Sequence, residues 1–382
     1  MKNEAYIDSL RSVHLEGTDH LRIIIAGGGT GGHIFPAIAI ANALKKLRPY
    51  VEILFVGAIG KMEMDKVPLA GYKIIGLNIA GFNRSSILKN ITLPFKLARS
   101  FYQVRKLLSA FKPNAVIGVG GYSSFPVLRL AQAQNISTYI LESNSHAGKS
   151  NILLGKKANK VFVASYGMEK FFPQHKLLLS GNPVRREFAT GFMSKEEAIS
   201  FFGLQKEKKT VLIIGGSLGA NSINEVIKDN IKFFRQNDLQ LIWQTGKGYA
   251  DTAASIEEEE KNIWTGAFIE NIFTAYAASD IIISRSGAMA VSELCIVGKP
   301  VIFVPYPHAA EDHQMANANA LVQNRAALVV KDNELAKDLF TILGEIITND
   351  LLAEELRSNI VALANINADQ IIATEILKDL DA

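Results

Sequence analysis

One arrangement, present twice, limits most strongly what this chain can fold into: a β-branched strand that runs into glycines and straight on into an apolar helical pattern. It occurs as IIIAGGGTGGHIFPAIAIANAL over residues 23–44 and again as KKTVLIIGGSLGANSINEVI over 208–227. Glycines lack a Cβ, so such a turn lets backbone N–H groups at a helix start come close to a phosphate or a sugar. Around the two copies, short β-branched runs alternate with helical stretches from residue 21 onward, the pattern of βαβ units stacked around parallel sheets. Strands are expected at 22–26, 51–56, 73–77, 114–119, 137–141, 160–163 and 177–179, then in the second copy. Further strands are expected at 240–244, 280–284, 300–304 and 326–330, before a helical tail from about 332. The fold class is therefore α/β: two Rossmann-like doubly wound domains facing across a cleft, with ligands at the carboxyl ends of the strands. A chain of 382 residues, 48% hydrophobic, exceeds one ordinary core. The divisions expected are an N-terminal extension 1–20, a first domain 21–182, a second domain 183–365 and a C-terminal helix 366–382.

The net charge of +4 hides an asymmetry. Residues 1–182 carry 23 Lys and Arg against 9 Asp and Glu, whereas the remainder carries 18 against 28. Such a split suggests that the first domain meets an anionic surface or substrate. No acidic residue lies between Lys66 and Leu141, while ten cations do, counting Lys66 itself. Within that stretch, SSILKNITLPFKLARSFYQVRKLLSAFKP interleaves Phe95, Phe101, Tyr102 and Phe111 with lysines and arginines. The segment 84–112 can lie on an anionic bilayer or be a solvated surface helix. No recognition motif supports a nucleic-acid partner. The apolar runs are strand-length, so no membrane span is expected. The first twenty residues hold Glu4, Asp8, Arg11, Glu16 and Asp19 and do not read as a secretory signal. A single cysteine, Cys295, excludes an internal disulfide and fits a reducing cytoplasm.

Four loops at expected strand ends are rich in glycine or polar residues: GGGTGGH (27–33), GVGGYSSFP (118–126), GGSLGAN (215–221) and SRSGAMAVSE (284–293). Their convergence on one cleft argues for a ligand carrying phosphates and hydroxyls. Gly27, Gly29 and Gly32 satisfy a dinucleotide spacing, but the next strand ends in Val56-Gly57, with Glu52 at its wrong end for holding a ribose. Gly148-Lys149-Ser150 imitates a nucleoside-triphosphate loop, yet Ser143 stands where its first glycine is required. The D-x-D pair Asp379 and Asp381 lies in the C-terminal tail, so no metal site is expected.

Taken together, GGGTGGHIFPAIAIA, GVGGYSSFP, GNPVR, GGSLGANSIN, SRSGAMAVSE and FVPYPHAAEDHQMANANAL resemble the MurG glycosyltransferases, in family order, over about residues 21–375. The resemblance implies two GT-B domains and transfer of N-acetylglucosamine, with inversion, from UDP-GlcNAc to the 4-hydroxyl of the MurNAc sugar of lipid I. It implies UDP-GlcNAc as a substrate, no cofactor, and peripheral attachment to the cytoplasmic face of the membrane. His33 is then the candidate base, with Thr30 beside it and Glu142 either orienting His33 or acting as base itself. Many relatives read H-E-Q-N where this chain has Leu141-Glu142-Ser143-Asn144. Donor contacts are implied for Thr30, Gly31, Gly32, Asn144, Arg185 and Ser217. The turn residues Ala288, Met289 and Ala290 face the diphosphate, Glu293 the ribose, the backbone around Ile269 the uracil, and Gln314, preceded by His313, the sugar hydroxyls. Acceptor contacts are implied for Gly28, Gly29, Gly120, Gly121, Tyr122 and Arg84. Alternatives are another sugar-nucleotide enzyme of this fold, such as a UDP-GlcNAc 2-epimerase, and a non-catalytic UDP-sugar-binding protein.

Overall fold

The computed structural model describes residue 7 and residues 21–79, 93–189, 191, 193–216 and 219–382. The first unit runs β1 (Arg22–Ala26), α1 (Gly31–Leu47), β2 (Glu52–Ala58), α2 (Glu63–Leu69), β3 (Lys73–Leu77), α3 (Leu93–Phe111), β4 (Ala115–Gly118), α4 (Ser124–Ala133), β5 (Ser137–Glu142), α5 (Lys149–Gly155), β6 (Lys160–Val163) and β7 (Leu177–Leu179). The second runs α6 (Lys195–Phe201), β8 (Lys209–Ile214), α7 (Asn221–Asp229), α8 (Ile231–Gln236), β9 (Leu239–Gln244), α9 (Ala250–Glu259), β10 (Ile263–Gly266), α10 (Ile272–Ala278), β11 (Ile281–Ser284), α11 (Ala288–Val297), β12 (Val301–Phe303), α12 (His313–Val322), β13 (Leu328–Val329), α13 (Leu335–Thr348) and α14 (Asp350–Ala362). A last helix, α15 (Ala368–Leu380), returns to the first unit, which comprises the described residues through Arg185 together with Asn367–Ala382.

Both sheets are parallel, in the orders β3-β2-β1-β4-β5-β6-β7 and β10-β9-β8-β11-β12-β13. Strands covered by helices on both faces read as unbroken apolar runs, which is why RIIIA and KTVLII stand out. In the first sheet Ile24, Val56, Val116 and Ile140 face Leu107, Leu108, Val127, Leu128 and Leu154 of α3, α4 and α5. The alternate residues Ile23, Ile25, Phe55 and Ile117 face Ile34, Ile40 and Leu44 of α1 and Ile372 and Ile376 of α15. The expected strands appear with ends shifted by up to two residues, but β10 was not among them. It is a four-residue edge strand in which only Ile263 is buried, too short and too exposed to leave a period.

Polar contacts fasten α15 as well. The Tyr139 hydroxyl, buried under the helix, donates to Asp379 Oδ2 at 2.6 Å, and Lys160 pairs with Glu375 at 2.5 Å. Arg48, which caps the end of α1, pairs with Asp381 at 2.5 Å, so of the D-x-D pair Asp379 ties α15 to the sheet and Asp381 ties it to α1. Burial and Asp379 hold the Tyr139 phenol well above its usual range. Tyr139→Phe leaves the Asp379 carboxylate without that donor and should cost about 1.5–3 kcal/mol in urea unfolding.

Candidate active site

In each sheet the strand order reverses beside the strand that opens the unit: β1 lies between β2 and β4, and β8 between β9 and β11. Such a reversal leaves a crevice at the carboxyl edge, where open α/β sheets bind ligands. The loops 27–33 and 118–126 follow β1 and β4, and the loops 215–221 and 284–293 follow β8 and β11.

In the first unit the two loops interlock. Gly28 N–H donates to the Gly120 carbonyl at 3.2 Å, and Gly27 N–H to the Val56 carbonyl at 3.0 Å. His33 stands in the first turn of α1, half-buried, with its ring against Gly120. A Cβ at position 120 would come within 2.7 Å of His33 Cε1, and the backbone there has φ +96°, so only glycine gives the imidazole this seat. Thr30 is the exposed N-cap residue of α1, but its hydroxyl makes no capping bond. Gly31 and Gly32 open the helix, whose first amides have no intrahelical acceptor. Gly121 lies against the Gly28 carbonyl, and the next residue, Tyr122, is 60% exposed. Arg84 lies outside the described residues.

Glu142 ends β5 and is 2% exposed. Its Oε1 accepts from the Asn144 backbone at 3.1 Å and the Asn144 side-chain amide at 3.4 Å. Its Oε2 accepts from Gly148 N–H at 3.0 Å and Asn151 Nδ2 at 2.8 Å. The carboxylate thus folds the 143–151 loop over itself and takes the Gly148 amide that a phosphate loop would need. Of the two departures from the family pattern, Leu141 is buried in the core, and Ser143 offers its carbonyl to Asn182 Nδ2 at 3.0 Å. Arg185, half-buried, is the last residue of this unit before the chain crosses to the second.

In the second unit Gly287 caps α11 in an extended conformation without a side-chain capping bond, so the amides of Ala288, Met289 and Ala290 begin an uncapped helix. Arg285 braces this turn: its guanidinium reaches the Val304 and Pro305 carbonyls at 3.1 and 3.2 Å, Asp332 at 2.5 Å and Ser222 Oγ at 2.9 Å. Ser286 Oγ donates to the Gln314 carbonyl at 2.8 Å, while Gln314 Oε1 accepts from Tyr306 N–H at 3.0 Å. His313 Nδ1 pairs with the Ala310 carbonyl at 2.6 Å. Glu311 and Asp312, just before α12, hold φ +55° and +52°, a conformation that costs free energy in residues other than glycine. Glu293, in α11, accepts from the Tyr276 hydroxyl at 3.4 Å, and Ile269 is buried after β10. The Gln244 side-chain amide holds the Gly216 carbonyl at 2.8 Å, while Ser217 lies outside the described residues. Among the described residues no group of three or more His, Cys, Asp or Glu is placed to hold a metal.

Two residues without a role in the sequence reading emerge here. Arg285 lies inside a quoted motif, but its partners are up to 63 positions away. Glu63, in the unremarkable stretch KMEMDK, is buried beneath the first glycine loop and accepts from Gly29 N–H at 2.7 Å.

Burial raises the pKa of the Glu142 carboxyl above its ordinary 4.5, against hydrogen bonds that lower it. Between 4.5 and the raised value, the folded state keeps a proton that the unfolded state has released, so stability falls as pH rises through that window. Glu142→Gln should flatten this slope, seen by comparing denaturant midpoints from about pH 4.5 to 7, while lowering overall stability by about 1–3 kcal/mol through a lost loop acceptor.

The chain matches the model of the glycosyltransferase family 28 N-terminal domain over residues 23–163 and that of the C-terminal domain over 210–371. It is 49% identical over 362 residues to a Parabacteroides distasonis protein named UDP-N-acetylglucosamine–N-acetylmuramyl-(pentapeptide) pyrophosphoryl-undecaprenol N-acetylglucosamine transferase, covering 94% of this chain and 98% of that one. Among solved structures it is similar to Acinetobacter baumannii MurG, with a TM-score of 0.75 at 26% identity over 94% of this chain and 99% of that one. A Neisseria meningitidis UDP-GlcNAc 2-epimerase shares the fold, with a TM-score of 0.64 at 17% identity over 94% and 100%.

Proposed function

This chain belongs to the MurG family within glycosyltransferase family 28, and from that premise we propose how its two units divide the reaction. It is a hexosyltransferase that moves N-acetylglucosamine from UDP-GlcNAc to lipid I, forming lipid II for peptidoglycan. The observation that carries this is the 49% identity extending through 98% of the P. distasonis transferase, together with family-model matches over 23–163 and 210–371 that take in every loop of both crevices.

The first unit takes the acceptor. His33 removes the proton of the attacking 4-hydroxyl as that oxygen reaches the anomeric carbon from the side opposite the departing UDP. Support for His33 over Glu142 comes from burial: Glu142 is 2% exposed and its two oxygens already accept from four donors of its own loop, so it acts as the loop's organiser. The amides of residues 27 to 29 also have partners inside the protein. Charged groups on the substrates therefore meet Thr30 and the helix-opening amides of Gly31 and Gly32, with Gly28, Gly29, Gly120, Gly121, Tyr122 and Arg84 forming the acceptor surface.

The second unit takes the donor. The uncapped start of α11 stabilises the departing diphosphate, assisted by Ser217 and by Arg185 and Asn144 of the first unit. Glu293 accepts from the ribose hydroxyls with Tyr276 as its neighbour, the main chain at Ile269 reads uracil, and Gln314 reads the transferred sugar.

Attachment to the cytoplasmic membrane face runs through α3. Its inner side buries Val104, Leu107, Leu108 and Phe111, while Phe95 and Tyr102 are 78% and 71% exposed in line with the exposed Arg99 and Arg105. No helix among the described residues is long and apolar enough to cross a membrane, so a helix lying on the surface accounts for contact with a lipid-linked acceptor.

The direct test is incubation with labelled UDP-GlcNAc and a lipid I analogue; a disaccharide product with released UDP is expected, whereas an epimerase yields none. His33→Ala should lower kcat by about 10²–10⁴-fold with donor binding near normal, and retention of most kcat would return the base to Glu142. Replacing Lys96, Arg99 and Arg105 with glutamine should weaken binding to anionic vesicles by about 1 kcal/mol per charge, leaving turnover of a short-chain soluble acceptor unchanged; unaltered vesicle binding would remove α3 as the anchor.

A further inference from the structure

Glu63 is the first residue of α2 and is 1% exposed. Both of its carboxylate oxygens accept from main-chain amides rather than from a cation: Oε1 from Ala58 N–H at 2.9 Å and Oε2 from Gly29 N–H at 2.7 Å. Two glycines make the slot it occupies. A Cβ at Gly57 would lie 2.4 Å from Glu63 Cγ, and one at Gly28 would lie 2.3 Å from Cδ. The carboxylate thus joins the end of β2 to the middle of the first glycine loop, reaching Gly29 across 34 positions of sequence from Glu63. From that loop the contacts continue to the imidazole: Gly28 N–H holds the Gly120 carbonyl, and Gly120 seats His33.

A buried carboxylate is a costly way to fill space, because removal from water penalises the charge unless strong hydrogen bonds replace hydration. Charge-assisted bonds to two amides do so, and they are more directional than apolar packing. A glycine loop needs this direction, since glycine restrains its own backbone least of all residues. We propose that Glu63 is a positioning residue of the acceptor half-site, latching the 27–33 loop in the one conformation that brings the His33 imidazole onto its Gly120 seat. The proposal rests on the reading of His33 as the base, and it adds a carboxylate that touches neither substrate but sets the aim of the group that does.

Glu63→Gln keeps the shape and replaces one oxygen by an NH₂ group, so one of the two amides faces a donor instead of an acceptor. With the full-length variant, kcat for transfer should fall by roughly 10²-fold, the scale expected for a misplaced reacting group, while the KM for UDP-GlcNAc changes by less than about tenfold, because the uracil, ribose and sugar contacts proposed in the second unit are untouched. Amide exchange at Ala58 and Gly29 and through residues 27–33 should quicken by about tenfold or more, with β8 amides unchanged as the internal reference. Glu63→Asp, which keeps the charge on a shorter arm, gives a second reading of the same quantities. Wild-type kcat, or wild-type exchange at Gly29, in Glu63→Gln overturns the proposal. So does a loss of kcat accompanied by faster exchange at β8, and so does failure of both variants to fold, either of which makes Glu63 a general stability residue. If instead His33→Ala keeps its kcat, the base assignment falls, while the exchange data still decide whether Glu63 holds the loop.

Discussion

A reversal of strand order underlies everything else in this molecule. Once the chain lays β2 on one side of β1 and β4 on the other, the helices that follow β1 and β4 leave for opposite faces of the sheet. The carboxyl edge between them is then left uncovered, and the two glycine loops meet there. The second unit repeats the reversal with β9, β8 and β11. The glycine loops therefore sit on largely buried strands, where a displacement of a few tenths of an ångström is resisted by a close-packed core.

The loops themselves are held by groups with large desolvation costs. Glu63 and Glu142 are both almost wholly buried, and each accepts from main-chain amides of a loop that contains glycine. Arg285 does the converse in the second unit, giving its N–H groups to two carbonyls, a hydroxyl and a carboxylate. Glu63 and Glu142 are side chains from outside their loops that meet main-chain groups which the glycines cannot order by themselves, whereas Arg285 stands within its own turn and ties it to the carbonyls that follow β12. The outcome is that several amides which resemble anion cradles in sequence, at residues 27 to 29 and at Gly148, already have internal acceptors. The first turns of α1 and α11 begin without a side-chain cap and present backbone charge that needs no side chain.

The elements legible from residue order were those whose signal is local. RIIIA, KTVLII and IIIS are apolar because helices cover both faces of a parallel strand; the first and last lie within a residue of their expected bounds, and KTVLII is a strand of the second glycine-turn copy. β10 escaped because an edge strand of four residues, largely exposed, carries no such run. Glu142 was visible as an acid at a strand end, yet its four donors, from residues 144, 148 and 151, were not, since hydrogen-bond direction depends on how the loop turns. Glu63 gave no signal at all: its partners are backbone amides, which every residue but proline possesses.

The sequence by itself determined the α/β class, the two glycine-turn copies, the family and hence the chemistry, and the concentration of positive charge in the first half. Each of these is written in residue type and spacing along the covalent chain. Tertiary structure alone decided which glycine amides are taken, which carboxylate braces the first glycine loop, that Gly120 is the seat of His33, and that the last helix completes the first unit rather than the second. Those choices arise from pairing across tens or hundreds of positions, where strand order and packing select one partner among many of equal chemistry, and no local pattern records the selection.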